Sequence, residues 1–66
     1  MARSSLIQRA IYDATQKTLA VTFTTGRTYL YFEVPQEIAE ELQSAESMGQ
    51  IFNWRIRDQY EYRELE

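Results

Sequence analysis

The alternation of apolar and polar positions is cleanest at residues 18–24. Leu19, Val21 and Phe23 fall on one side there, and Thr18, Ala20, Thr22 and Thr24 on the other. A period of two is that of a strand with one buried face. Residues 6–12, Leu-Ile-Gln-Arg-Ala-Ile-Tyr, precede it as a first strand. Residues 27–33, rich in aromatic and β-branched types, follow as a third. Asp13 can bond its own backbone and so open the polar connection 13–17. Gly26 permits the positive φ that a tight hairpin needs. Three consecutive antiparallel strands, a meander, result. The period then changes at Val34-Pro35: Val34, Ile38, Leu42 and Ala45 recur at intervals of four and three, the stripe of an amphipathic helix. Pro35 is pre-set for its first turn. Ser47 is placed to cap a second helix running to about Arg57, with Met48, Ile51, Phe52 and Ile56 on one face. Residues 58–66 form a charged tail to which the pattern assigns no element.

A three-stranded sheet is not stable with both faces wet, so the two helices must cover one of them. The expected architecture is therefore a single α+β domain, β-β-β-α-α, with a core over about residues 6–62 and flexible ends at 1–5 and 63–66. One sheet face stays open unless a partner or a second copy covers it.

Tyr29 and Tyr31 are two apart and share a face of the third strand, and the loop length of the hairpin decides which face that is. A two-residue loop, Thr25-Gly26, sets Val21 against Leu30 and leaves both tyrosines on the outside. A three-residue loop, Thr24-Thr25-Gly26, with glycine in its preferred left-handed place sets Val21 against Tyr29 and Leu19 against Tyr31. The tyrosines then join the core side. The pattern admits both registers.

Size and composition narrow the functional classes. At 66 residues, the chain is near the lower limit for folding without staples. With neither cysteine nor histidine, it lacks disulfides, soft metal ligands and the commonest general base. Glu37 and Glu41, four apart on a helix, have the spacing for a hard cation, but like charges at that spacing are ordinarily solvated. Neither a catalytic centre, a metal, a cofactor nor a small-molecule substrate is expected. The absence of a long apolar run points away from the membrane and towards the cytoplasm.

The net charge of −3 is unevenly spread: residues 1–32 carry +3, residues 33–50 carry −5 and residues 51–66 carry −1. A weakly basic sheet thus adjoins a strongly acidic first helix. Six of the seven cations are arginine, the cation better suited to stacked and bidentate contacts. Tyr29, Tyr31, Tyr12 and Arg27 have the composition of a sheet surface on which unpaired bases stack. Trp54 falls outside the apolar stripe of the second helix, where it either closes the core edge or meets a partner. Arg55 falls inside that stripe, where its stem can pack while its head escapes to water. Arg57 lies three residues beyond Trp54, and Tyr60 and Arg63 extend a basic-aromatic strip diluted by Glu61, Glu64 and Glu66.

The ordered series Tyr12-Asp13, Leu19-Ala20-Val21-Thr22-Phe23, Gly26, Tyr29-Leu30-Tyr31, Val34-Pro35, Ala45-Glu46-Ser47-x-Gly49, Phe52-Asn53, Ile56-Arg57 and Tyr60 resembles the KTSC domain. That domain occurs at the C-terminus of some lysyl-tRNA synthetases and alone in short bacterial proteins. The resemblance covers about residues 6–62. It implies a link to RNA through the synthetases and brings no catalytic or metal residues with it. The acidic first helix is a departure that counts against a broad RNA-contacting surface. Two readings follow. One is a non-enzymatic module that contacts RNA through Tyr29, Tyr31, Arg27, Tyr12, Trp54, Arg55 and Arg57. The alternative is a protein-interaction or self-association module using the open sheet face.

Overall fold

The computed structural model describes residues 6–65. The chain folds as four antiparallel strands in the order β1-β2-β3-β4 and a helical layer across one sheet face. The strands are β1 (Ile7–Asp13), β2 (Thr18–Phe23), β3 (Thr28–Tyr31) and β4 (Tyr62–Leu65). Helix α1 (Gln36–Gln43) follows β3, and α2 (Met48–Ile51) continues directly into a π-helical turn over Phe52–Ile56.

The meander and the two helical segments are as the sequence pattern predicts, but the sheet gains a fourth strand. Residues 62–65 pair with β3 from Thr28↔Leu65 to Tyr31↔Tyr62, and 63–65 of these were expected as part of a flexible end. Residues 1–5 and 66, the remainder of the expected flexible ends, lie outside the described residues.

The β2–β3 hairpin takes the longer loop. Gly26 adopts φ +98°, and its N–H donates to Phe23 O at 2.9 Å. Phe23 N–H in turn donates to Arg27 O at 2.8 Å, closing the loop Thr24-Thr25-Gly26. Val21 consequently faces Tyr29, and Leu19 faces Tyr31. Because paired residues share a face, Tyr29 and Tyr31 point to the helical side with Leu19 and Val21. The outward-facing pair considered from sequence is thereby corrected: the open face carries Ala20 and Leu30 in their place.

The first turn is held as expected, with Asp13 Oδ1 accepting from Thr15 N–H at 3.0 Å and the Thr15 hydroxyl at 2.6 Å. The Thr15 hydroxyl is the main reason that the Asp13 carboxyl is held below its usual range. Pro35 sits one place earlier than expected, as the extended residue before α1, where its carbonyl accepts from Ile38 and Ala39.

The core is built from Ile7, Leu19, Val21 and Tyr31 of the sheet with Val34, Ala39, Leu42, Phe52 and Ile56 above it. Ser47 caps α2 through Gln50 N–H. The N–H of Arg57 donates to Phe52 O at 2.8 Å, one residue wider than an α-helical bond. This wider turn keeps Phe52 and Ile56 buried while Trp54, between them, stays 65% exposed.

Tyr31 is only 4% exposed and packs against Phe52, so Tyr31→Ala removes a core ring at a cost of about 3–5 kcal/mol. That is comparable to the whole stability expected of so small a domain. Thermal denaturation followed by circular dichroism is expected to find Tyr31→Ala largely unfolded at 25 °C and Tyr31→Phe folded with a nearly unchanged melting temperature.

Candidate functional site

The tyrosines that the hairpin turns inward meet two phenylalanines and a third tyrosine. Phe23 contacts Tyr29 edge-on at 5.6 Å between ring centres, and Tyr29 contacts Tyr62 at 5.5 Å. Tyr62 lies against Tyr31 at 5.3 Å, Tyr31 against Phe52 at 5.5 Å, and Phe52 against Phe23 at 5.3 Å. The five rings form a closed circuit joining β2, β3 and β4 to the π-helical turn. Most of its contacts are edge-to-face, the geometry that sets the positive ring edge against the negative face.

The circuit does not fill the space beside it. A cleft of about 540 Å³ opens there, walled by the five rings and rimmed by Leu6, Thr24, Thr25, Arg27, Asn53, Arg57 and Asp58. Tyr62 is 54% exposed although it touches two other rings. Arg27 and Arg57 supply the positive charge. Arg27 reaches Glu64 at 3.3 Å across an exposed rim, a pair worth little in water. Arg57 donates to Asn53 Oδ1 at 3.3 Å.

Of the seven residues singled out from sequence, four converge on this cleft: Tyr29, Tyr31, Arg27 and Arg57. The other three do not. Tyr12 lies on the helical side of β1, where its hydroxyl donates to Val34 O at 2.6 Å and fastens the sheet to the start of the helical layer. Trp54 and Arg55 face away from the cleft on the bulge of the π-helical turn. The Arg55 guanidinium lies 4.8 Å from the Trp54 ring centre and binds Glu41 Oε1 at 3.1 Å. The awkward place of Arg55 in the apolar arc is thus resolved by a partner on α1. Tyr62, Phe23 and Phe52 complete the wall and are not among those seven. The spacing Tyr60-x-Tyr62 was the available signal for Tyr62, hidden by the surrounding charge.

The cleft offers ring faces, two guanidinium groups and the polar side chains of Asn53 and Asp58. Among the described residues that line it, no nucleophile is hydrogen-bonded to a base. Among the described residues, no cluster of three or more carboxylates, histidines or cysteines is placed to hold a metal. Nor is any described helix long and apolar enough to cross a membrane.

A four-stranded meander with a helical layer and a side cleft of aromatic rings defines a small α+β domain with a ligand-sized opening. The KTSC domain profile matches residues 3–60, and the chain belongs to that family. A protein of Tsukamurella paurometabola is 44% identical over 57 residues, spanning 86% of this chain and 85% of the relative. The lysine–tRNA ligase of Trichormus variabilis is 39% identical over 61 residues, which is 92% of this chain but 11% of the ligase. The crystal structure of a KTSC domain protein from Yersinia pestis superposes with a TM-score of 0.88 at 30% identity, covering 98% of this chain and 92% of the other.

Burial pushes the Tyr31 phenol up to about 12, with the neighbouring Tyr62 and Tyr29 adding to the shift. In the unfolded chain the same phenol ionises near 10. Between these values the folded state retains the proton that the unfolded state loses, so stability falls as pH rises through this window. Urea denaturation at a series of pH values is expected to show this alkaline loss in the wild type and a smaller one in Tyr31→Phe.

Proposed function

We propose that the domain is a non-enzymatic binding module that takes unpaired RNA bases in the aromatic cleft and holds the adjoining phosphates with Arg27 and Arg57. The observation that carries this reading is the coincidence of exposed ring surface and two arginines around one opening. Stacking on aromatic rings is worth about 1–3 kcal/mol per base and tolerates any base, since each has a π-face. Arginine at the rim adds attraction to the backbone and can itself stack on a base.

The acidic first helix is compatible with this reading because no residue of α1 lines the cleft. Glu41, its charge nearest the second helical segment, is already paired with Arg55. The lysine–tRNA ligases among the relatives act on a nucleic acid, which favours RNA over other ligands that offer a planar group next to an anion. This reading uses the helical side of the sheet, opposite the open sheet face considered from sequence.

Fluorescence anisotropy with labelled single-stranded RNA and with tRNA tests the proposal. Affinity is expected to fall as salt rises, with the logarithmic slope reduced by about 0.7 for each of Arg27→Ala and Arg57→Ala on a single strand. Tyr62→Ala is expected to weaken binding by about tenfold, roughly 1.4 kcal/mol and within the stacking range. Circular dichroism verifies that each variant is folded. Binding that is absent at low salt, or indifferent to all three substitutions in folded protein, rejects the cleft as the site.

A further inference from the structure

Tyr31 carries a polar group that the fold does not use. The residue is packed into the core at 4% exposure, yet among the described residues its hydroxyl has no hydrogen-bond partner. Tyr12 differs in this respect, since its hydroxyl is spent on Val34 O. Nor is the Tyr31 hydroxyl sealed in: no side-chain oxygen or nitrogen among the described residues is both enclosed and unpaired. Tyr31 lines the aromatic cleft, so its phenol opens there. A phenylalanine would take the same place in the ring circuit without bringing a polar group towards the core.

Asp58 is a second unused group on the same cleft. It is the one anion among the described residues that line it, beside Arg27 and Arg57. Neither cation neutralises it. Arg57, its neighbour in sequence, donates to Asn53, and Arg27 turns to Glu64. A free carboxylate at a phosphate-holding rim repels the phosphate, unless it also accepts from N–H groups of the ligand. Burial and the phenols of Tyr62 and Tyr29 raise the pKa of Tyr31, and the Asp58 carboxylate adds to the rise. Asp58 and the Tyr31 phenol therefore lie within reach of one another's charge. At neutral pH the phenol keeps its proton and meets a ligand as a donor.

We infer, resting on the base-binding reading above, that the cleft selects guanine, with Tyr31 and Asp58 reading its Watson–Crick edge. Guanine presents there an acceptor, O6, beside two donors, N1–H and N2–H. The Tyr31 O–H donates to O6, and the Asp58 oxygens accept from the two N–H groups. No other RNA base sets two N–H groups side by side next to an acceptor. Adenine and cytosine put an amino group beside a bare ring nitrogen, and uracil has one N–H between two carbonyl oxygens. Each of these leaves a carboxylate oxygen without a donor or facing a lone pair. Single-stranded bases are commonly read along this edge while their faces stack on aromatic rings. The rings take any base, and the two polar groups choose among them.

Fluorescence anisotropy with labelled oligouridylates carrying one central guanosine, inosine, adenosine or cytidine tests this, with circular dichroism to verify folding. The guanosine strand is expected to bind about tenfold more tightly than the adenosine and cytidine strands, roughly 1.4 kcal/mol. Inosine lacks the amino group that supplies N2–H and is expected to bind several-fold more weakly than guanosine. Tyr31→Phe keeps the ring and is expected to remove most of the guanosine preference. Asp58→Asn is expected to weaken the guanosine strand while tightening the others, because it removes a negative charge from the rim. Equal binding of all strands overturns the inference and leaves the base-binding reading intact. So does a guanosine preference that either variant retains, or an Asp58→Asn effect that tightens every strand alike. Guanosine monophosphate separates the two readings further. If it binds as tightly as the guanosine strand, selection of guanine stands and RNA is not the ligand. No binding by any of these probes at low salt rejects both.

Discussion

One backbone torsion settles how this domain is arranged. Gly26 at φ +98° closes a three-residue loop, and that loop sets β3 against β2 so that Val21 meets Tyr29. Nothing lies within 4 Å of where a side chain at Gly26 would begin, so space does not require a glycine there. The requirement is conformational, since an L side chain rarely adopts that φ. A slip of one residue would exchange Tyr29 and Tyr31 for Leu30 and leave the aromatic wall on the wrong side of the sheet.

The circuit of rings serves stability and recognition together, with the burden unevenly divided. Tyr31, at 4% exposure, is a core residue that borders the opening. Tyr62, at 54%, is the wall residue most open to solvent. The closing contacts come from β4, the last strand of the chain, and from the π-helical turn. The local widening that aims Phe52 at the sheet also expels Trp54 and Arg55 to the outside, where Glu41 ties Arg55 back to α1. The two features that read as irregular in the sequence, a tryptophan and an arginine out of phase, thus share one backbone cause.

Much of the fold was legible in the residues. The alternation at 18–24, the change of period at Val34-Pro35 and the Ser47 cap lead directly to β2, α1 and α2. The hairpin register was not legible, because hydrophobic pattern and glycine placement favoured different loops, and the glycine preference prevailed. The fourth strand was missed because its six-residue stretch Tyr-Glu-Tyr-Arg-Glu-Leu alternates aromatic and charged types at the edge of a sheet, where β propensity is weak and charge is tolerated. Tyr29, Tyr31, Arg27 and Arg57 emerged as candidates from residue type alone. Their convergence, and the separation of Tyr12, Trp54 and Arg55 from them, depends on long-range pairing that no local pattern encodes.

Among the described residues the sheet has two free edges, and neither invites another strand. At β1 the register shifts between Ile7 and Arg9, which breaks the even ladder of donors and acceptors along that border. At the other border β4 is four residues long, two of them, Arg63 and Glu64, are charged, and Glu61 and Glu66 flank it in sequence. Short, irregular and charged margins are how soluble sheets avoid lateral growth into fibrils. This chain can therefore carry nine aromatic residues in 66 without becoming a template for runaway strand addition.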